Sequence, residues 1–106
     1  MERRIETLMN ELRAGLEELY GSRLKGVYLF GSYARGEQEA ESDVDVLVVL
    51  DDFEDYGEEV DRASSLASEL SLAHDLSVSE VFVRERDWLH GDTPFLRNVR
   101  EEAVPA

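Results

Sequence analysis

Apolar residues along the first twenty positions recur at intervals of three and four. Ile5, Leu8, Met9, Leu12, Leu16 and Leu19 form one stripe, which predicts an amphipathic helix stopping near Gly21. Leu24 to Phe30 then reads as a strand ending at Gly31, with Gly26 marking either a bulge or a close backbone approach. Asp43 to Leu50 is the plainest strand. Val44, Val46, Val48 and Leu50 line one face, while Leu47 and Val49 make the other face apolar beyond Asp45, as expected of a central strand covered on both sides. After Asp51-Asp52, Val60, Ala63, Leu66, Ala67, Leu70 and Ala73 predict a second helix closed by His74-Asp75. Alternation returns over Leu76 to Val83, with Leu76, Val78, Glu80 and Phe82 on one side. Short helices are expected over Arg86 to His90 and from Pro94 to Glu101. The order helix, strand, loop, strand, helix, strand, terminal helices predicts an α/β (α+β) fold, a small sheet with helices packed on it.

A chain of 106 residues with 42% apolar composition is the size of one ordered domain, and positions 1 to 106 are read as one. With 25 acidic against 11 basic residues, the net charge of -14 repels nucleic acid and anionic membranes, so stable nucleic-acid or membrane binding is not expected and a basic protein partner is. Cysteine is absent, which rules out disulfides, a thiolate nucleophile and cysteine-bound zinc. The charged opening Met1-Glu2-Arg3-Arg4 lacks the apolar stretch of a secretory signal, and the longest apolar run, Val46 to Leu50, is far too short to cross a bilayer. These features predict a cytoplasmic protein. His74 and His90 are too sparse to pattern a zinc site and read as helix-end or surface residues.

Chemistry concentrates between Gly31 and Leu50. Two residues apart on a strand, Asp43 and Asp45 point to the same side with alpha carbons roughly 6.6 Å apart. Such paired hard oxygens suit Mg²⁺, an ion that takes one or two carboxylates together with phosphate and water. Just upstream, Gly31-Ser32 can bring backbone amides and a hydroxyl close to a triphosphate, and more so if Ser32 opens a short helix. Arg35 could reach the same anion or serve as a surface ion-pair residue. Tyr33 could approach a base or pack in the turn, Tyr28 and Phe30 serve strand packing, and Trp88, Phe95 and Leu96 either close the core or anchor a partner. The segment from Gly31 to Gly36 lacks the Walker lysine, so it is not a P-loop.

Gly31-Ser32, ten residues, then Asp43-Val44-Asp45 resembles the signature of the DNA-polymerase-beta-like nucleotidyltransferase superfamily, and the fuller string resembles its minimal members, the MNT domains. The resemblance implies a polymerase-beta-like fold with a mixed sheet. It further implies that Gly31 and Ser32 contact the triphosphate of ATP, and that Asp43 and Asp45 bind Mg²⁺, two ions in all. A third carboxylate is expected from a later strand to bind metal and assist deprotonation of the acceptor. Glu80 matches by strand position and Asp75 is the alternative, although Ser79-Glu80-Val81 departs from the commoner apolar-Asp-apolar context. Many minimal members pair with a HEPN-domain toxin, an RNase, and the tail Pro94 to Glu102 resembles tails in this group. The resemblance therefore implies an antitoxin that transfers AMP from ATP to a toxin tyrosine, with self-association within such a complex left open. The alternative is a catalytically weak or inactive antitoxin that neutralises a basic RNase by binding it.

Overall fold

The computed structural model describes residues 2–106. Helix α1 (Arg3–Tyr20) carries the first stripe and ends where Gly21 takes a positive φ of 56°. A 3-10 turn, Gly21–Arg23, leads into β1 (Leu24–Phe30), followed by the single-turn helix α2 (Ser32–Arg35) and β2 (Val44–Leu50). Then come α3 (Tyr56–His74), β3 (Val78–Arg84), α4 (Glu85–His90), α5 (Pro94–Glu102) and the two-residue β4 (Val104–Pro105). The strands form one sheet in the order β3-β2-β1-β4. Strand β2 runs antiparallel to β1 and parallel to β3, while β4 is antiparallel to β1, so the sheet is mixed.

Strand β2 is central, and its residue parity organises the core. Even-numbered Val44, Val46, Val48 and Leu50 pack with Ile5, Leu8, Leu12 and Leu16 of α1 and with Ala63 of α3. Odd-numbered Leu47 and Val49 pack with Val83, Leu96 and Val99, with Tyr28, Phe30 and Trp88 around them. Three layers result: α1 and α3, the sheet, then α4 and α5. Asp45 belongs to the odd face, on the side of α5.

Several details depart from the hydrophobic pattern. Tyr20, rather than the 40%-exposed Leu19, completes the buried stripe of α1. Helix α3 begins a turn earlier than its apolar residues suggest, because the Asp55 side chain accepts from the Glu58 N–H and caps it. Ala63, Leu66 and Leu70 of its expected face pack on the core, while Glu59 is buried in place of Val60, and Val60 and Ala73 are exposed. Buried Glu59 is compensated by the Arg62 guanidinium at 2.6 Å, and Arg23 lies 3.8 Å away. A register irregularity lies just before Gly26: Leu24 pairs with Leu50 and Gly26 with Val49, leaving Lys25 out of the ladder. Strand β3 is an edge strand whose outer amides are partly engaged: Phe82 N–H donates to the Tyr56 hydroxyl and Val78 N–H to the Ser71 hydroxyl. No described helix is long and apolar enough to cross a membrane.

Candidate active site

Strand pairing builds the site. Phe30 at the end of β1 lies opposite Asp45 on β2, so the chain leaving β1 turns directly over the Asp45 carboxylate. Gly31 makes that turn with φ +77°, and a Cβ there would run into Asp45 Oδ2. The backbone angle therefore favours glycine, and any added Cβ would have to displace the Asp45 carboxylate. Ser32 opens α2, the Gly31 carbonyl accepts from the Arg35 N–H at 3.2 Å, and Gly36 closes the turn in the left-handed conformation.

Asp43 is exposed just before β2, and Asp45 is half-buried on it. Burial raises the pKa of Asp45, the negative charges of Asp43 and Glu102 raise it further, and Arg35 opposes them. A cation at this point would relieve that repulsion. Two hard-oxygen ligands are what Mg²⁺ takes from protein when phosphate and water complete its shell, so Asp43 and Asp45 fit the ion and are the residues that would hold it. Arg35 makes ion pairs with Glu37 at 3.2 Å and Glu102 at 2.8 Å.

Glu102 was not foreseen as a site residue. Its Oε2 accepts from both the Gly31 N–H, at 3.0 Å, and Arg35 Nη1, at 2.8 Å. Glu102 is 71 positions from Gly31, and its neighbour Glu101 makes the pair look like an ordinary acidic surface run. No local pattern in the sequence distinguishes it.

Glu80 requires a correction. In the parallel register it aligns with Val46, while Ser79, Val81 and Val83 align with Asp45, Leu47 and Val49. Aligned residues share a face, so Glu80 points to the α1 and α3 side, opposite Asp45. There its charge is felt by Tyr20, whose pKa is pushed up to about 12, chiefly by burial. Glu80 Oε2 is buried without a hydrogen-bond partner, and desolvation raises the Glu80 pKa to about 7. The expected third ligand and base is thus turned away from Asp43 and Asp45. Asp75, the alternative, is an exposed C-cap of α3 at φ 51°. Among the described residues no group of three or more His, Cys, Asp or Glu side chains could hold a metal ion.

The remaining candidates serve structure. Tyr33 and Ala34 pack on the α1-side core, Tyr28 stacks on Trp88 with centroids 4.8 Å apart, and Phe30 meets Phe95 edge-on at 5.8 Å. His74 and His90 end α3 and α4. A groove of about 550 Å³ runs along the free side of β3, lined by Phe53, Tyr56, Phe82, Arg84 and Phe95 among others, and includes neither the Gly31 turn nor the aspartates. The convergent chemistry, rather than the larger concavity, identifies the candidate site.

A mixed sheet in which a glycine-serine turn closes over an Asp-x-Asp pair at the start of a central strand defines a nucleotidyltransferase-type α/β domain. The chain belongs to the nucleotidyltransferase domain family, whose profile matches residues 9–105. It is 35% identical over 99 residues, 92% of either chain, to MJ0604 of Methanocaldococcus jannaschii, a candidate protein adenylyltransferase by name. Its fold is similar to a chain of a toxin-antitoxin crystallised with AMP-PNP, at TM-score 0.62 and 26% identity over 89% of this chain and 68% of that one. It is likewise similar to a candidate minimal nucleotidyltransferase, at TM-score 0.59 and 29% identity over 96% and 95% of the two chains.

Proposed function

We propose that this domain is the antitoxin of a HEPN-type RNase toxin, that it neutralises the toxin chiefly by binding it, and that its nucleotidyl-transfer chemistry is weak. One observation carries the reading: β3 offers Ser79, Val81 and Val83 to the Asp45 face, and its only carboxylate, Glu80, faces the other way. With no carboxylate from β3 on that face, the strand position expected to take the proton from an attacking hydroxyl is empty of an acid, and the other nearby carboxylate, Glu102, is engaged by the Gly31 N–H and Arg35. The net charge of -14 supports the binding half, since a strongly acidic domain steers toward a basic RNA-handling surface. The toxin-antitoxin chain of similar fold supports the partner class.

A second reading is favoured by the retained half-site and by the adenylyltransferase name of the archaeal relative. In it Gly31, Ser32 and Arg35 hold the triphosphate of ATP, and Asp43 and Asp45 hold Mg²⁺. When bound there, such an ion would supply electrostatic stabilisation of charge on the phosphate oxygens. A toxin tyrosine oxygen then bonds to the alpha phosphorus, the bond to the beta-phosphate oxygen breaks, and pyrophosphate leaves while the phenolic proton passes to solvent. The two readings share the phosphate-holding turn and differ in whether neutralisation needs transfer.

Toxin RNase activity, assayed with wild-type antitoxin and with an Asp43→Asn/Asp45→Asn variant in the presence of ATP and Mg²⁺, separates them. Equal neutralisation by both proteins is the outcome expected from binding. Loss of neutralisation in a variant that still forms the complex would establish transfer as the mechanism.

A further inference from the structure

We propose that Glu102 is an internal stand-in for phosphate, occupying the donors of the Gly31 turn until a polyphosphate displaces it. The inference rests on the reading that this turn receives the triphosphate. A single carboxylate oxygen takes a backbone N–H and a guanidinium N–H together, the donor pair that suits a phosphate oxygen. An incoming triphosphate would compete for the same two groups.

The surroundings make that competition matter. Asp43, Asp45 and Glu102 all add negative charge at the site, and the pull of Arg35 is divided between Glu102 and Glu37. A phosphate approaching while Glu102 remains would meet a like charge and a guanidinium already engaged. Once Glu102 withdraws, the Gly31 amide and Arg35 become available together.

Withdrawal needs no rearrangement of the core. Glu102 is the last residue of α5, with a side chain 21% exposed. The helix is held independently by buried Leu96 and Val99, and by Arg100, which donates to the carbonyls of Trp88, Asp87 and Gly91. Beyond it, β4 pairs with Tyr28 and Leu29, and the Ala106 N–H donates to the Val27 carbonyl. Anchored on both sides, the segment can release Glu102 by a rotamer change. Glu102 thereby sets a threshold that a highly charged polyphosphate passes more readily than a singly charged anion.

The test is calorimetric titration of the full chain with inorganic tripolyphosphate and with ATP, both with Mg²⁺, for wild type, Glu102→Gln, Glu102→Ala and Arg35→Ala. Affinity for both probes should rise in the order wild type, Glu102→Gln, Glu102→Ala, the last by roughly tenfold, as expected from removing a like charge at hydrogen-bond range in a partly screened site. Arg35→Ala should bind more weakly than wild type. Should Glu102→Ala fail to fold, Glu102→Gln still reports, because it keeps the shape and removes the charge. Measurable wild-type binding with unchanged or weaker binding in the Glu102 variants would overturn the stand-in and leave the phosphate-holding turn intact. No binding by any of the folded proteins would overturn both.

Discussion

Gly31 ties the site together at the scale of one residue, because its positive φ and its contact with Asp45 are consequences of the same turn. Gly31→Ala should cost about 1–3 kcal/mol, combining left-handed strain with displacement of the Asp45 carboxylate. Urea unfolding checks this, and the loss should be accompanied by loss of polyphosphate binding. Glu80 makes a separate pH prediction. Its folded pKa of about 7 lies above the ordinary glutamate value of 4.5, so the folded state holds the proton more tightly than the unfolded state does. Stability is therefore greatest below about 4.5 as far as this group is concerned, falls as pH rises toward about 7, and is level above that. Glu80→Gln should flatten the slope over this window and gain about 1–2 kcal/mol over wild type at pH 8, after allowance for the solvent that still reaches the group. Unfolding midpoints at several pH values would reveal it.

Among the elements, α4 and α5 depend on one arginine. Arg100 of α5 donates to three carbonyls at the end of α4, including the Trp88 oxygen at 2.7 Å, and fixes the two short helices to each other. Arg100→Ala should cost about 1–3 kcal/mol by removing the partner of the Trp88 and Gly91 carbonyls, the Asp87 carbonyl keeping its bond from the Gly91 N–H. Faster amide exchange in Glu85–His90 than in α1 would locate the effect. This pair of helices also marks where sequence reading reaches its limit. Strands β1 and β2, helix α1 and the irregularity beside Gly26 are legible because periodicity and glycine chemistry act within a few residues. The middle of the α3 face, Ala63, Leu66 and Leu70, is legible from periodicity, whereas its first turn buries Glu59 in place of Val60 through the partner Arg62 and the approach of Arg23, a tertiary arrangement that periodicity does not register. Strand β4 escaped notice because two residues, one of them proline, carry no alternation. At the site, Gly31, Ser32, Asp43 and Asp45 stand close in sequence and were legible together. Glu102 carries no such local signal, and for Glu80 the sequence specifies the strand but not the face, which only the register with β2 fixes.

For the whole molecule, the acidic charge and the division of the expected acids between opposite sheet faces point to a domain that acts through a partner. A net charge of -14 should make association with a basic toxin fast and salt-sensitive. Raising ionic strength from about 0.05 to about 0.5 M, across which the screening length shortens several-fold, should slow association far more than dissociation in stopped-flow measurements. The central claim, neutralisation by binding with weak transfer, is tested most directly by intact mass. The cognate HEPN partner is incubated with this protein, ATP and Mg²⁺, and complex formation and RNase activity are followed in the same samples. The account predicts a stable, RNase-silent complex whose toxin mass is unchanged, for wild type and Asp43→Asn/Asp45→Asn alike. Stoichiometric gain of adenylate on the toxin, abolished together with neutralisation in the variant, would contradict it.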